Sequence, residues 1–209
     1  MDLNIKNNDY FESKNLEKNQ SYNCYIFKFD NSINEDICID IIEKFEDFSL
    51  NNDSFSIPKN DIQWFKIERF LFKEILNKIK IYRNNISNFS NIKINNDIIL
   101  NISNDIITNN FNIYKYNCFS NDRFYSSKDS MPYLFLKREN NRYNVLTYIF
   151  FLNYSDSFCF IKFDNGLIIE PKKGMLLIFP DDFNFTYKFF LPKFENQYII
   201  YGNLYSKLV

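Results

Sequence analysis

The chain has 209 residues, 25 basic and 26 acidic, with a formal net charge of -1. The charges are well mixed, without the basic stripe or tail that marks a nucleic-acid binder. It contains no histidine, which excludes Ser-His-Asp and Cys-His nucleophilic machinery and every metal site built on imidazole.

Any general acid or base must therefore be a carboxylate, a lysine, a tyrosine or a cysteine. Hydrophobic residues make up 45% and aromatics 20%, including 25 Phe and 15 Tyr, enough for one sizeable core. With only 3 Gly and 5 Pro, each is expected where backbone geometry demands it. The longest apolar runs, Tyr148 to Leu152 and Met175 to Phe179, are too short to span a bilayer. Met1 to Asn23 is polar and reads as neither secretory signal nor anchor, so the expected location is cytoplasmic. Cys24, Cys38, Cys118 and Cys159 form no CxxC pair and are expected to be buried free thiols rather than zinc ligands or a redox motif.

Residues 1-20 are expected to form a polar N-terminal segment, followed by one domain over 21-209. Tyr25 to Phe29 reads as a strand and Asp30-Asn31-Ser32 as a turn. Asn34, with Glu35 and Asp36 behind it, is a helix start. Ile37, Ile41, Phe45 and Phe48 then share one helical face with Cys38 and Ile42. Asn51 to Asn60 reads as a polar loop ending at a second cap. From Asp61 to about Tyr82, Trp64, Ile67, Leu71, Ile75, Ile79 and Tyr82 recur every three or four residues and predict the longest helix, with Trp64 as a core anchor against the sheet. Residues 84 to 110 mix Asn with Ile and fit strand or loop equally.

Beyond them the chain reads as short strands and turns. The expected strands are Phe111–Tyr116, Arg123–Tyr125, Val145–Leu152, Phe158–Phe163, Leu167–Glu170, Met175–Phe179, Phe183–Phe189 and Gln197–Tyr205. Helices mainly in 34-84 and a β core mainly in 111-205 predict an α+β fold, a jelly roll or barrel flanked by N-terminal helices.

Gly166 to Pro180 contains Pro171-Lys172-Lys173-Gly174 followed by an apolar strand ending in Phe179-Pro180. With the strand ending in Leu152-Asn153 and the tail from Gln197 to Tyr205, this segment resembles the prolyl 4-hydroxylase-like branch of the iron(II)/2-oxoglutarate-dependent oxygenases. The resemblance implies a double-stranded β-helix and, in an active member, Fe(II) and 2-oxoglutarate as cofactors. It places Asp129 at the carboxylate ligand and Ser127 at the first histidine, or Lys128 if the register shifts by one. The third ligand position falls on Phe185, between Asn184 and Tyr187, and the cationic anchor for 2-oxoglutarate falls on Gln197. Both imidazoles and the anchoring cation are thus replaced, so no catalytic, metal or cofactor-binding residue is expected and no cofactor either.

Two rescues stay open: an all-oxygen metal site joining Asp129 to Asp181, Asp182 or Asn184, and Lys128 or Lys188 as the anchor. Phe183, Phe185, Tyr187 and Phe189 alternate on one strand and could fill the former metal pocket. The leading functional reading is a non-catalytic binding or scaffold module with a protein partner, binding neither nucleic acid nor membrane. The alternatives are an active dioxygenase with an atypical metal site and a structural β-domain used in assembly.

Overall fold

The computed structural model describes residues 25–49, 52–87, 107–108, 111–118, 124–126, 142–154, 158–181 and 185–207. Helix α1 (Glu35–Phe48) starts where expected: the Asn34 side chain accepts a hydrogen bond from the Ile37 N–H at 2.9 Å, satisfying one orphan donor of the first turn. The turn before it places Asn31 at φ 57°, a conformation that asparagine tolerates better than most residues. Helix α2 (Phe65–Ser87) begins later than the expected Asp61, because Asp61 caps a separate turn. Its carboxylate accepts from the Gln63 N–H at 2.8 Å and its carbonyl from the Trp64 N–H at 3.2 Å. The predicted stripe from Trp64 to Tyr82 is buried throughout, and each fully buried large apolar side chain contributes about 1.5–3 kcal/mol.

The strands are β1 (Phe27–Phe29), β2 (Ser54–Ser56), β3 (Ile107–Thr108), β4 (Asn112–Tyr116), β5 (Phe124–Ser126), β6 (Arg142–Phe151), β7 (Phe160–Phe163), β8 (Ile168–Ile169), β9 (Leu176–Pro180), β10 (Tyr187–Phe190) and β11 (Gln197–Lys207). They form two antiparallel sheets. The larger runs β1-β9-β6-β11-β4-β2, with β3 also paired to β11, and the smaller runs β5-β10-β7-β8. The expected α+β architecture is therefore present, with two helices ahead of a two-sheet roll.

Three expectations need correction. The polar loop Asn51 to Asn60 contains β2, whose Phe55 packs on Trp64 at 5.3 Å and on Phe48 at 6.2 Å. Aromatic packing from two distant segments makes a strand of Ser-Phe-Ser. The unsettled stretch 84 to 110 supplies the last turn of α2 and strand β3; residues 88–106 lie outside the described set. Phe183–Phe189 is not one strand: among its described residues β10 begins only at Tyr187, and ahead of it the Thr186 carbonyl accepts from the Asp164 N–H at 2.9 Å while the Thr186 hydroxyl bonds the Asp164 carboxylate.

Alternation assigns the faces of the larger sheet. Tyr198 on β11 meets α1 through Phe45 at 6.0 Å, and its hydroxyl donates to Glu46 at 2.6 Å, while Lys115 on β4 pairs with Glu46 at 2.9 Å. Tyr82 of α2 packs on Phe27 of β1 at 4.8 Å and donates to the Tyr25 carbonyl at 3.1 Å. The helices thus cover one face, while residues one position away along β4, β6 and β11 turn toward the smaller sheet. Cys38 on α1 and Cys159 are buried free thiols, as expected, whereas the free thiol of Cys118 is only half-buried; burial pushes the Cys38 thiol up to about 11, where it is unreactive at neutral pH. Cys24 lies outside the described residues. No described helix is long and apolar enough to cross a membrane.

One close approach on the helix-covered face gives a prediction. Gly202 of β11 lies opposite Tyr148 of β6, and a Cβ there would sit 2.3 Å from the Tyr148 hydroxyl oxygen. That hydroxyl is fully buried and has no hydrogen-bond partner. Gly202→Ala is expected to lower stability by about 1–3 kcal/mol through overpacking. Tyr148→Phe, which removes a buried unpaired group, should be neutral or stabilising alone and should recover part of the loss in the double mutant. Urea melts of the four proteins check this.

Candidate functional site

The expected site comprises Ser127, Asp129, Phe185 and Gln197. Of its four positions, Ser127 and Asp129 lie outside the described residues, as does Lys128. Phe185 is buried just before β10, and its ring meets Tyr25 edge-on at 6.3 Å. A phenyl ring offers no lone pair to a metal. Gln197, the first residue of β11, is fully buried. Its Nε2 donates to Asn153 Oδ1 at 2.9 Å and to its neighbour Tyr198's carbonyl at 3.3 Å, while its Oε1 accepts from Cys159 Sγ at 3.6 Å.

Asn153 is the hub of this cluster. Its Oδ1 also accepts from the Tyr198 N–H at 2.9 Å, and its Nδ2 donates to the Asn196 carbonyl at 2.8 Å. Here Asn153 bonds the end of β6 to the start of β11. The position expected for the cationic anchor thus holds a neutral amide whose hydrogen bonds are met within the protein.

Further along the same inward face is a cavity of about 260 Å³. Five tyrosines line it, Tyr114 and Tyr116 from β4, Tyr125 from β5, Tyr187 from β10 and Tyr201 from β11. Phe151, Phe189 and three isoleucines complete the wall. Tyr114 stands at 77° to Tyr201 with centroids 6.2 Å apart, and Tyr116 at 89° to Phe189 at 5.1 Å. Tyr125 is 40% exposed and so marks the mouth. Burial raises the phenol pKa of Tyr114, Tyr116, Tyr187 and Tyr201, and the Asp181 carboxylate pushes Tyr187 and Tyr201 further the same way. These four hydroxyls stay protonated at any physiological pH.

Among the described residues no charged side chain lines the wall. Lys188 and Lys162 sit on β10 and β7 at exposed positions, one residue out of phase with the lining residues Tyr187, Phe189 and Ile161; Lys188 is thus no anchor for a ligand in this cavity. Asp181 accepts a hydrogen bond from Asn203 Nδ2 at 3.2 Å. Asp182 and Asn184 lie outside the described residues. Among the described residues no three of the Asp, Glu and Cys side chains come together in a way that could hold a metal.

The aromatic filling expected from Phe183, Phe185, Tyr187 and Phe189 is part of the arrangement: Tyr187 and Phe189 line the cavity, Phe185 packs outside it and Phe183 lies outside the described residues. The tyrosines of β4, β5 and β11 were not singled out from the sequence. Their signal was available in the alternation Tyr114-x-Tyr116 and Ile199-x-Tyr201, but which face of each strand turns inward depends on the register of several distant strands.

The sequence matches no family model and no curated protein. The fold, by contrast, is widely shared with solved structures. A truncated viral collagen prolyl hydroxylase from Paramecium bursaria Chlorella virus-1 superposes with a TM-score of 0.60 at 14% identity, covering 88% of this chain and 90% of that one. The same viral enzyme in complex with 2-oxoglutarate gives 0.56 at 14% identity, over 87% and 96% of the two chains. A Pseudomonas putida prolyl-4-hydroxylase gives 0.53 at 12% identity over 94% and 99%. The Trichoplax adhaerens prolyl hydroxylase, in complex with a hypoxia inducible factor peptide fragment, gives 0.57 at 10% identity over 94% and 93%. The two sheets and the two helices ahead of them together make up the double-stranded β-helix fold of the prolyl 4-hydroxylases.

Proposed function

We propose that this protein is a prolyl 4-hydroxylase-like jelly roll that has lost iron and 2-oxoglutarate binding and serves as a non-catalytic binding or scaffold module for a protein partner in the cytoplasm. The observation that carries this reading is the joint replacement of the chemistry. The chain has no histidine, the sequence resemblance puts Phe185 where a third ligand is expected and Gln197 where a cationic anchor is expected, and Gln197 is fully buried and internally bonded. The viral enzyme accepts 2-oxoglutarate, a dianion. Among the described residues the cavity wall provides no cation to offset a buried carboxylate, and desolvating that charge unpaired costs several kcal/mol. Filling a former ligand position with phenylalanine removes a polar group that would otherwise need a partner and so favours folding.

Calorimetric titration of the anaerobic protein with ferrous or manganous ion, then with 2-oxoglutarate, tests the reading. The expected result is no saturable heat and no thermal shift at millimolar ligand. Saturable metal binding that disappears in Asp129→Ala would instead establish an oxygenase with an atypical metal site.

A further inference from the structure

We propose that the groove along the outer side of α2 docks an acidic amphipathic helix of a partner protein. The proposal rests on the reading that this chain binds a protein, and it adds where it does so and by what chemistry. Neither Phe185 nor Gln197 lines the groove.

The stripe of α2 from Trp64 through Leu71 to Tyr82 is buried in the core. A second stripe runs along another side of the helix at the same spacing: Phe65, Arg69, Phe72, Leu76 and Lys80. With Lys73, and with Lys59 from the turn ahead of the helix, these residues line a groove of about 780 Å³. Phe65 and Phe72 are 42% and 41% exposed, at positions where a surface helix ordinarily presents polar side chains to water. A single exposed ring needs no explanation. Two rings set two turns apart in one groove, with Leu76 one turn further on, make a continuous apolar floor.

Charge decides what that floor takes. Four cations line the groove, Lys59, Arg69, Lys73 and Lys80, against one carboxylate, Glu68. Among the described residues Lys59, Lys73 and Lys80 have no carboxylate partner, whereas Lys78 on the same helix is paired with Glu74 at 3.1 Å. Arg69 lies over the Phe65 ring at 5.3 Å, so cationic head and apolar floor form one surface. A complementary ligand brings apolar groups flanked by negative charge.

Shape narrows the choice further. From Phe65 to Lys80 the stripe is about 22 Å long, the length of roughly four helical turns. A ridge of this kind is what a second helix engages with its own apolar face. Single-stranded nucleic acid fits less well. It stacks successive bases on open rings, whereas Arg69 already covers a face of Phe65, and a chain of net charge -1 exerts no long-range pull on a polyphosphate.

Selection of a displayed library of random peptides, long enough for about four helical turns, on the intact protein tests the proposal. The expected result is enrichment of sequences with net negative charge and apolar residues three or four positions apart. Their affinity should fall about tenfold or more in the double variant Lys73→Glu, Lys80→Glu and several-fold in Phe72→Ser. All three positions are exposed, as is Lys162 on β7, where Lys162→Glu should leave binding unchanged. Exchanging the selected peptide's carboxylates for lysines should restore binding to the charge-reversed variant. Enrichment of basic or uncharged sequences overturns the proposal, as does equal loss in Lys162→Glu. Tighter binding of an oligouridylate overturns it in favour of a nucleic acid, and a dimer that Phe72→Ser dissociates overturns it in favour of a second copy. No enrichment overturns it outright. Silence from every peptide defeats the groove alone, whereas saturable binding of ferrous or manganous ion defeats the loss of the iron site alone.

Discussion

Replacing Gly174 with alanine is expected to destabilise the protein by about 2–6 kcal/mol, enough to unfold much of a marginally stable chain. Two costs coincide there. Gly174 has φ 76°, a left-handed conformation that costs a residue with a Cβ about 1–3 kcal/mol. The added Cβ would also lie 2.1 Å from the Ile33 carbonyl oxygen, and relieving such an overlap costs about 1–3 kcal/mol more. Neither partner can retreat cheaply. The Ile33 N–H donates to the Gly174 carbonyl at 3.0 Å, and the Gly174 N–H donates to the Phe151 carbonyl at 2.8 Å. This glycine ties the turn ahead of α1 to the start of β9 and the end of β6. Urea denaturation monitored by circular dichroism measures the loss; a change below about 0.5 kcal/mol, the scale of an ordinary surface substitution, would refute the account.

The second large effect concerns the anchor. Gln197→Lys, which restores the cation that the fold's active members are expected to carry, should cost about 3–5 kcal/mol at neutral pH because it buries an ammonium without a partner. It also strips Asn153 Oδ1 and Cys159 of their amide partner. The pH dependence separates these causes. Burial lowers the introduced lysine's pKa in the folded state below its unfolded value of about 10.4. Between those two values the unfolded chain binds more protons, so stability relative to wild type rises with pH and levels off above about 10.4. A deficit independent of pH from 7 to 10 would assign the loss to packing alone. Rescue by millimolar 2-oxoglutarate at neutral pH would mean that the cavity still accepts the dicarboxylate once a cation is supplied.

Local chemistry made much of the fold legible. Asn34 with Glu35 and Asp36 marked the start of α1, the period of Trp64 to Tyr82 marked α2, and Gly166 with Pro171 to Gly174 marked the turns around β8. What stayed hidden depends on distant partners. Ser54-Phe55-Ser56 has no strand signature of its own and is a strand because Phe55 meets Trp64 and Phe48. Of the positions expected for the site, Phe185 is a buried aromatic and Gln197 is part of an amide network, a partnership with Asn153 and Cys159 that no local pattern shows. The tyrosine-lined cavity was not legible, because its five tyrosines come from four strands spread over nearly ninety residues, and no local pattern shows that they meet.

The edges of the larger sheet bear on a different property, the solubility of a chain so rich in phenylalanine and isoleucine. Its longest strands, β6 and β11, are interior, and its outermost strands, β1 and β2, are three residues each. A short edge presents few unpaired amides for a second molecule to pair with. The strand most in need of such protection is β9, Leu-Leu-Ile-Phe-Pro, which is apolar and lies directly behind β1. Among the described residues, the three of β1 are what covers the outer edge of this apolar strand.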